Sequence, residues 1–158
     1  MKLSTKGRYG LRAMLDLAEH EEFGAVSIAS IAERQNLSES YLEQLIRRLR
    51  DAGLVKSLRG AGGGYILERS AARISVGDVL RALEGDLAAV SCSGDGDEPC
   101  GNADSCISRI VWEKINRAIE DTVNGIYLSD LLSEGKKRQD CANNTEIACE
   151  SGFVCDTK

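Results

Sequence analysis

Apolar residues recur at helical spacing through the first half of the chain, and each run opens on a serine. Ser4 precedes the stripe Leu11, Met14, Leu15 and Ala18 and can cap a first helix. Phe23-Gly24 ends that segment. Ser27 introduces a short helix with Ile28, Ile31 and Ala32 on its buried side, and Gln35-Asn36-Leu37 is a tight connection. Ser38 caps the next helix, Glu39 complements its dipole, and Leu42, Leu45, Ile46 and Leu49 form its apolar face. Gly53 fits its C-terminal stop. Two helices joined by so short a turn predict a helix-turn-helix. Leu54-Val55-Lys56-Ser57-Leu58 then predicts a strand, Gly60, Gly62, Gly63 and Gly64 a turn, and Tyr65-Ile66-Leu67 a returning strand. A helix-turn-helix with a hairpin directly after it is a winged helix.

Beyond the hairpin, Ser75 caps a helix with Val76, Val79, Leu80 and Leu83 on one side. Residues 91–106 carry Gly, Asp, Ser and Cys with no apolar period and predict a loop. A long helix over 107–123 comes next, with Ile110, Val111, Ile115, Ala118, Ile119, Thr122 and Val123 as a wide stripe. Little chain remains to cover that stripe, so a second copy is the simplest cover. Residues 127–132 predict a short helix. The expected fold is mainly α: a winged helix-turn-helix with a two-stranded β wing and a long C-terminal dimerisation helix. The expected divisions are a DNA-binding domain over 1–70, a linker helix, cysteine loop and dimerisation helix over 71–134, and a flexible polar tail over 135–158.

Composition agrees. Apolar residues make up 42% but aromatics only 4%, which suits a helical core of Leu, Ile, Val and Ala better than a β-sandwich. No apolar run is long enough to span a membrane. Met1-Lys2-Leu3-Ser4-Thr5-Lys6-Gly7 lacks the apolar stretch of a secretory signal, so a cytoplasmic location is the default expectation.

A net charge of −5 looks wrong for a nucleic-acid binder, but it hides an asymmetry. Residues 1–69 hold 11 Lys and Arg against 9 Asp and Glu, whereas residues 70–158 hold 9 against 16. Only the first half offers a face for phosphates. In a helix-turn-helix the N-terminal part of the second helix meets base edges. Ser38, Ser40, Tyr41, Glu43 and Gln44 occupy that part of this chain. Glu can accept from cytosine and Gln can pair with adenine. Arg47 and Arg48 suit phosphates, as do Lys2, Lys6, Arg8 and Arg12 along the first helix. Arg59 beside Gly60 and Gly62 at the wing tip suits a minor groove. Taken alone, the arginines would read as a solvated helix face. The helix-turn-helix and wing around them turn the balance toward DNA. No nucleophile–base pair or cofactor motif speaks for an enzyme.

Met1-Lys-Leu-Ser-Thr-Lys-Gly-Arg-Tyr-Gly, Ser40-Tyr-Leu-Glu-Gln-Leu and Leu54-Val-Lys-Ser-Leu-Arg-Gly-Ala-Gly-Gly-Gly-Tyr resemble the IscR-like family of bacterial iron–sulfur cluster regulators. That family has the relatives NsrR, a nitrite and nitric-oxide regulator, and CymR, a regulator of cysteine metabolism. The resemblance is close over about residues 1–90 and extends to the rest by organisation. It implies a homodimer on palindromic promoter sites, with Glu43, Gln44 and Arg59 facing double-stranded DNA.

All six cysteines lie after residue 90: Cys92, Cys100, Cys106, Cys141, Cys149 and Cys155. Such clustering in a reducing compartment points to metal or redox ligands rather than structural disulfides. The resemblance implies that Cys92, Cys100 and Cys106 hold an iron–sulfur cluster, 2Fe–2S with 4Fe–4S as the alternative. Two features depart from the family pattern. The first gap is two residues longer, and Arg109 stands where the family's fourth ligand is a histidine. Arg8 and Arg12 stand where other relatives supply a ligand from the first helix, and the single histidine, His20, reads as a helix-end residue. Cys141, Cys149 and Cys155 repeat the spacing of the first triad and are candidates for the missing ligand, for a separate site, or for coincidence. Zinc favours closer cysteine pairs than any in this chain. A metal-free dithiol switch stays open.

Overall fold

The computed structural model describes residues 4–60, 62–90 and 106–151, with side chains as far as Asp140. The element order is α1 (Thr5–His20), α2 (Ile28–Gln35), α3 (Glu39–Asp51), β1 (Val55–Leu58), β2 (Gly64–Leu67), α4 (Val76–Glu84), α5 (Arg109–Gly125) and α6 (Leu128–Ser151). One short 3-10 turn comes after α1 and another before α4. Each expected serine cap is present. Ser4, Ser27, Ser38 and Ser75 accept from the main-chain N–H of Lys6, Ser30, Tyr41 and Asp78 respectively. Asp78 returns a bond to the Ser75 N–H and completes a capping box.

The connection from α2 to α3 turns on Asn36, which holds a left-handed conformation at φ 53°. Asn tolerates that conformation because its short polar side chain bonds locally. β1 and β2 pair antiparallel from Val55↔Leu67 to Leu58↔Gly64. Val26 adds an antiparallel bridge to Tyr65, so the wing is tied to the segment before α2. A Cβ on Gly64 would lie 2.5 Å from the Val26 carbonyl oxygen, so only glycine permits that approach.

One core joins the helix-turn-helix to α4 and to the start of α6. Met14, Leu17, Ile31, Leu42, Leu45, Leu49, Ile74, Leu83 and Leu128 are buried together. α1 crosses α4 at glycines. A Cβ on Gly10 would strike Leu83 Cδ1, and one on Gly7 would sit 2.7 Å from Glu84 Oε1. That carboxylate oxygen accepts from Ser4 N (3.1 Å), Ser4 Oγ (2.6 Å) and Gly7 N (2.8 Å) at the open end of α1. These bonds, led by the Ser4 hydroxyl, hold the Glu84 pKa below the usual carboxylate range. α5 crosses α4 at Gly77, where a Cβ would meet Asn124 Oδ1.

The C-terminal region departs from expectation. A short helix over 127–132 and a polar tail from 135 were expected; instead α6 runs to Ser151 through the expected boundary. Leu128, Leu131 and Leu132 anchor its start against the two apolar clusters. Beyond them no apolar stripe continues; Glu134 and Lys136 to Gln139 are good helix formers.

Overpacking at Gly10 costs about 1–3 kcal/mol, more than the roughly 1 kcal/mol that alanine gains in a helix. Gly10→Ala is therefore expected to lower the thermal midpoint. Because the folded pKa of Glu84 is depressed, its contribution is complete above the ordinary value of about 4.3. It is lost as pH falls through the lower folded value. Urea midpoints measured against pH are expected to fall less steeply on the acid side in Glu84→Gln than in the parent.

Candidate nucleic-acid interface

α3 separates two faces. Leu42, Leu45, Ile46 and Leu49 are buried, while Ser40, Glu43, Gln44 and Arg47 are exposed. Among the described residues the side chains of these four make no hydrogen bond or ion pair within the chain. Ser38 is occupied as the N-cap. Gly53, at φ 70°, turns the chain from α3 into β1. At the far end of β1 stands Arg59, exposed and next to Gly60 at φ 119°, with Gly62 beyond it at φ 83°, backbone conformations that favour glycine. Arg8 is exposed on the first turns of α1, and Lys2 lies outside the described residues.

Not every expected residue is free. Arg48 Nη1 turns back to the Leu83 carbonyl at 3.4 Å and so reaches α4. Tyr41 is half-buried, edge-on to Tyr9 at 6.2 Å, and its hydroxyl donates to Thr5 Oγ1 at 3.4 Å. Arg12 points to the end of α2, where Nε donates to Gln35 Oε1 and Nη2 to the Gln35 carbonyl, both at 3.0 Å.

Sequence reasoning missed the ion pair behind the turn. Asp16 is 4% exposed. Arg34 grips its carboxylate through Nη2 at 2.6 Å and Nε at 3.0 Å, and Gln35 Nε2 adds a third partner at 2.8 Å. Asp16 holds the Arg34 pKa above its ordinary value, chiefly through this hydrogen bonding. His20 ends α1 and its Nδ1–H donates to the Asp16 carbonyl at 2.8 Å. The only signal in sequence was an Asp within an otherwise apolar helical stripe.

Of the cysteines, Cys106 alone has a described side chain. Cys92, Cys100 and Cys155 lie outside the described residues, as do the side chains of Cys141 and Cys149. Cys106 is half-buried just before α5, with Sγ 3.1 Å from Ser108 Oγ. The Ser108 hydroxyl, then the Arg109 main-chain N–H, pull its thiol pKa down. A thiol biased toward thiolate suits a metal or cluster. Arg109 donates to Glu113 Oε1 at 2.6 Å and offers no lone pair to iron. Along α6, Cys141 and Cys149 are eight residues apart, about 12 Å of helical rise.

α5 carries no buried residue. Ile107, Ile110 and Val111 are 84%, 56% and 53% exposed, and Ile115 continues the uncovered stripe.

The family model described as Rrf2, iron-dependent transcriptional regulator, matches residues 3–134. The chain belongs to the Rrf2 family. It is 45% identical to the HTH-type transcriptional regulator IscR of Vibrio vulnificus over 136 residues, covering 86% of this chain and 80% of that one. The solved structure of T. potens IscR is 49% identical, with a TM-score of 0.73 over 88% of this chain and 91% of that chain. CymR, the global cysteine regulator of B. subtilis, is 44% identical, with a TM-score of 0.71 over 85% and 98%. This Rrf2 chain is a winged-helix, DNA-binding transcriptional regulator, and these relatives are regulators rather than enzymes. No helix among its described residues is long and apolar enough to cross a membrane.

Asp16→Ala would leave Arg34 and Gln35 without their shared acceptor. Breaking a buried pair costs about 3–5 kcal/mol. The Arg34 side chain is 35% exposed and can rehydrate, so the expected loss in urea denaturation lies at the low end of that range or below it.

Proposed function

We propose that the protein is a homodimeric regulator of palindromic promoter sites whose DNA affinity answers to a cysteine-ligated iron–sulfur cluster. The observation that carries the DNA reading is the outer face of α3. Its Ser40, Glu43, Gln44 and Arg47 are uncommitted within the chain, and the wing arginine Arg59 stands at the end of the next strand. Ser40, Glu43 and Gln44 read bases, Arg47 and Arg8 hold phosphates, and Arg59 enters the minor groove. Glu43 discriminates, since a carboxylate rejects bases that offer it no donor. The uncovered stripe of α5 supports a second copy as partner.

Cys92, Cys100 and Cys106 are the proposed ligands. The lowered thiol of Cys106 and the resemblance to IscR support them. When bound, a cluster supplies a redox- and iron-sensitive crosslink within the loop. This chain's own part is to tie the segment before that loop to α5, and α5 to α4. Asn116 Oδ1 accepts from the Ala89 N–H at 2.8 Å, and Arg81 donates to Asn124 Oδ1 at 2.5 Å. The fourth ligand is not Arg109; a tail thiol from Cys141, Cys149 or Cys155 is the candidate. Two observations favour a second reading, a cluster-free repressor controlled by thiol oxidation or a protein partner. Arg109 replaces the family's histidine, and the likeness to CymR nearly equals that to IscR.

Iron, acid-labile sulfide and the visible spectrum of protein purified without oxygen decide between the readings. Near-equal iron and sulfide is the expected result; colourless, metal-free protein that still binds DNA would establish the second reading. On DNA, Arg47→Ala is expected to weaken all sequences alike and to lower the salt slope by about one per protomer. Gln44→Ala is expected to cost about 1–3 kcal/mol at one base pair and relax its identity.

A further inference from the structure

We infer that Arg12 is a positioning residue for base readout and not a phosphate contact. Through Gln35 on one side and the Tyr9–Tyr41 pair on the other, it fixes the angle at which α3 leaves the turn. The inference rests on the proposed reading of bases by α3.

In sequence Arg12 is one more exposed cation on α1. In the structure its guanidinium is engaged on two sides. Nε and Nη2 bond the side chain and the main-chain carbonyl of Gln35, each at 3.0 Å. Gln35 is the last residue of α2, so its carbonyl is one that the helix itself leaves without a donor. The guanidinium carbon also stands 5.5 Å from the centre of the Tyr9 ring, within cation–π range.

Each contact leads onward. The Gln35 amide is oriented at both ends, because its oxygen receives Arg12 while its nitrogen donates to Asp16 Oδ2 at 2.8 Å. Asp16 is in turn held by Arg34, one residue back on α2. On the other side, the Tyr9 ring meets Tyr41 at 88° with centroids 6.2 Å apart. Tyr41 lies in the first turn of α3, between Ser40 and Glu43. Arg12 therefore touches the last residue of α2 and the aromatic pair that braces the first turn of α3. Only Asn36, Leu37 and Ser38 lie between those two helices.

Base readout fails when side chains drift by about half an ångström or tilt by roughly 10–20°. Phosphate attraction tolerates such drift, because it depends on charge near the backbone. Loss of the Arg12 clamp should therefore reduce selectivity before it reduces general DNA affinity.

The test uses the full chain, with a preferred duplex selected from a random pool and a scrambled control. Affinity is measured by fluorescence anisotropy over a range of salt. The variants are Arg12→Met, Gln35→Ala and the double variant. Each single variant is expected to lose about tenfold on the preferred duplex, the scale of one base contact. The scrambled duplex and the salt slope should change little, and the double variant should be no worse than either single. A slope reduced by about one per protomer in Arg12→Met, with Gln35→Ala unaffected, would overturn the inference in favour of a direct phosphate contact. Unchanged preference in both variants would also overturn it. Gln35→Ala removes no charge, and it carries the test alone if Arg12→Met does not fold. A parent protein with no preferred duplex would instead overturn the proposed function.

Discussion

The approach of α1 to α4 is the constraint around which α3 and α5 are arranged. At Gly7 and Gly10 the two helices meet with no Cβ between them, so Leu83 and Glu84 reach the α1 backbone itself. Glu84 then supplies one oxygen to three donors at the start of α1. Helix N-termini present unmatched N–H groups, and a carboxylate from another element is a strong partner for them. α4 also receives Arg48 from α3 and crosses α5 at Gly77. α3 and α5 thus share a support nine residues long.

Behind the helix-turn-helix, the fixing element is polar. A buried carboxylate with a bidentate arginine and an amide adds little net stability compared with a well-packed apolar alternative. Its geometric demand is strict, because each donor must meet a set lone pair. Asp16, Arg34, Gln35 and Arg12 set the placement of α2 on α1, while the apolar faces of α2 and α3 supply most of the burial.

Much of this was legible in the sequence because it is local. Ser4, Ser27, Ser38 and Ser75 mark helix starts through bonds to residues two or three positions away, and Gly60 and Gly62 mark a turn through their own backbone freedom. The features that were not legible are non-local. Arg12 and Arg48 carry the same charge as Arg47, and nothing in the spacing says that two of the three are committed within the fold. The extent of α6 was missed for another reason: residues 133–151 have no apolar period to mark a helix. The cysteine spacing was plain, but it does not say what the neighbouring Arg109 does, which the structure pairs with Glu113.

The two faces of α3 do not overlap. The inward side chains Leu42, Leu45, Ile46 and Leu49 serve the core, and those of Ser40, Glu43, Gln44 and Arg47 meet no bonding partner among the described residues. The outward letters of this helix are therefore open to rewriting without a redesign of the fold, since substitutions at exposed sites rarely move stability by more than about 0.5 kcal/mol. On the proposed reading of bases by α3, new side chains on this face would retarget the protein while its core stays fixed.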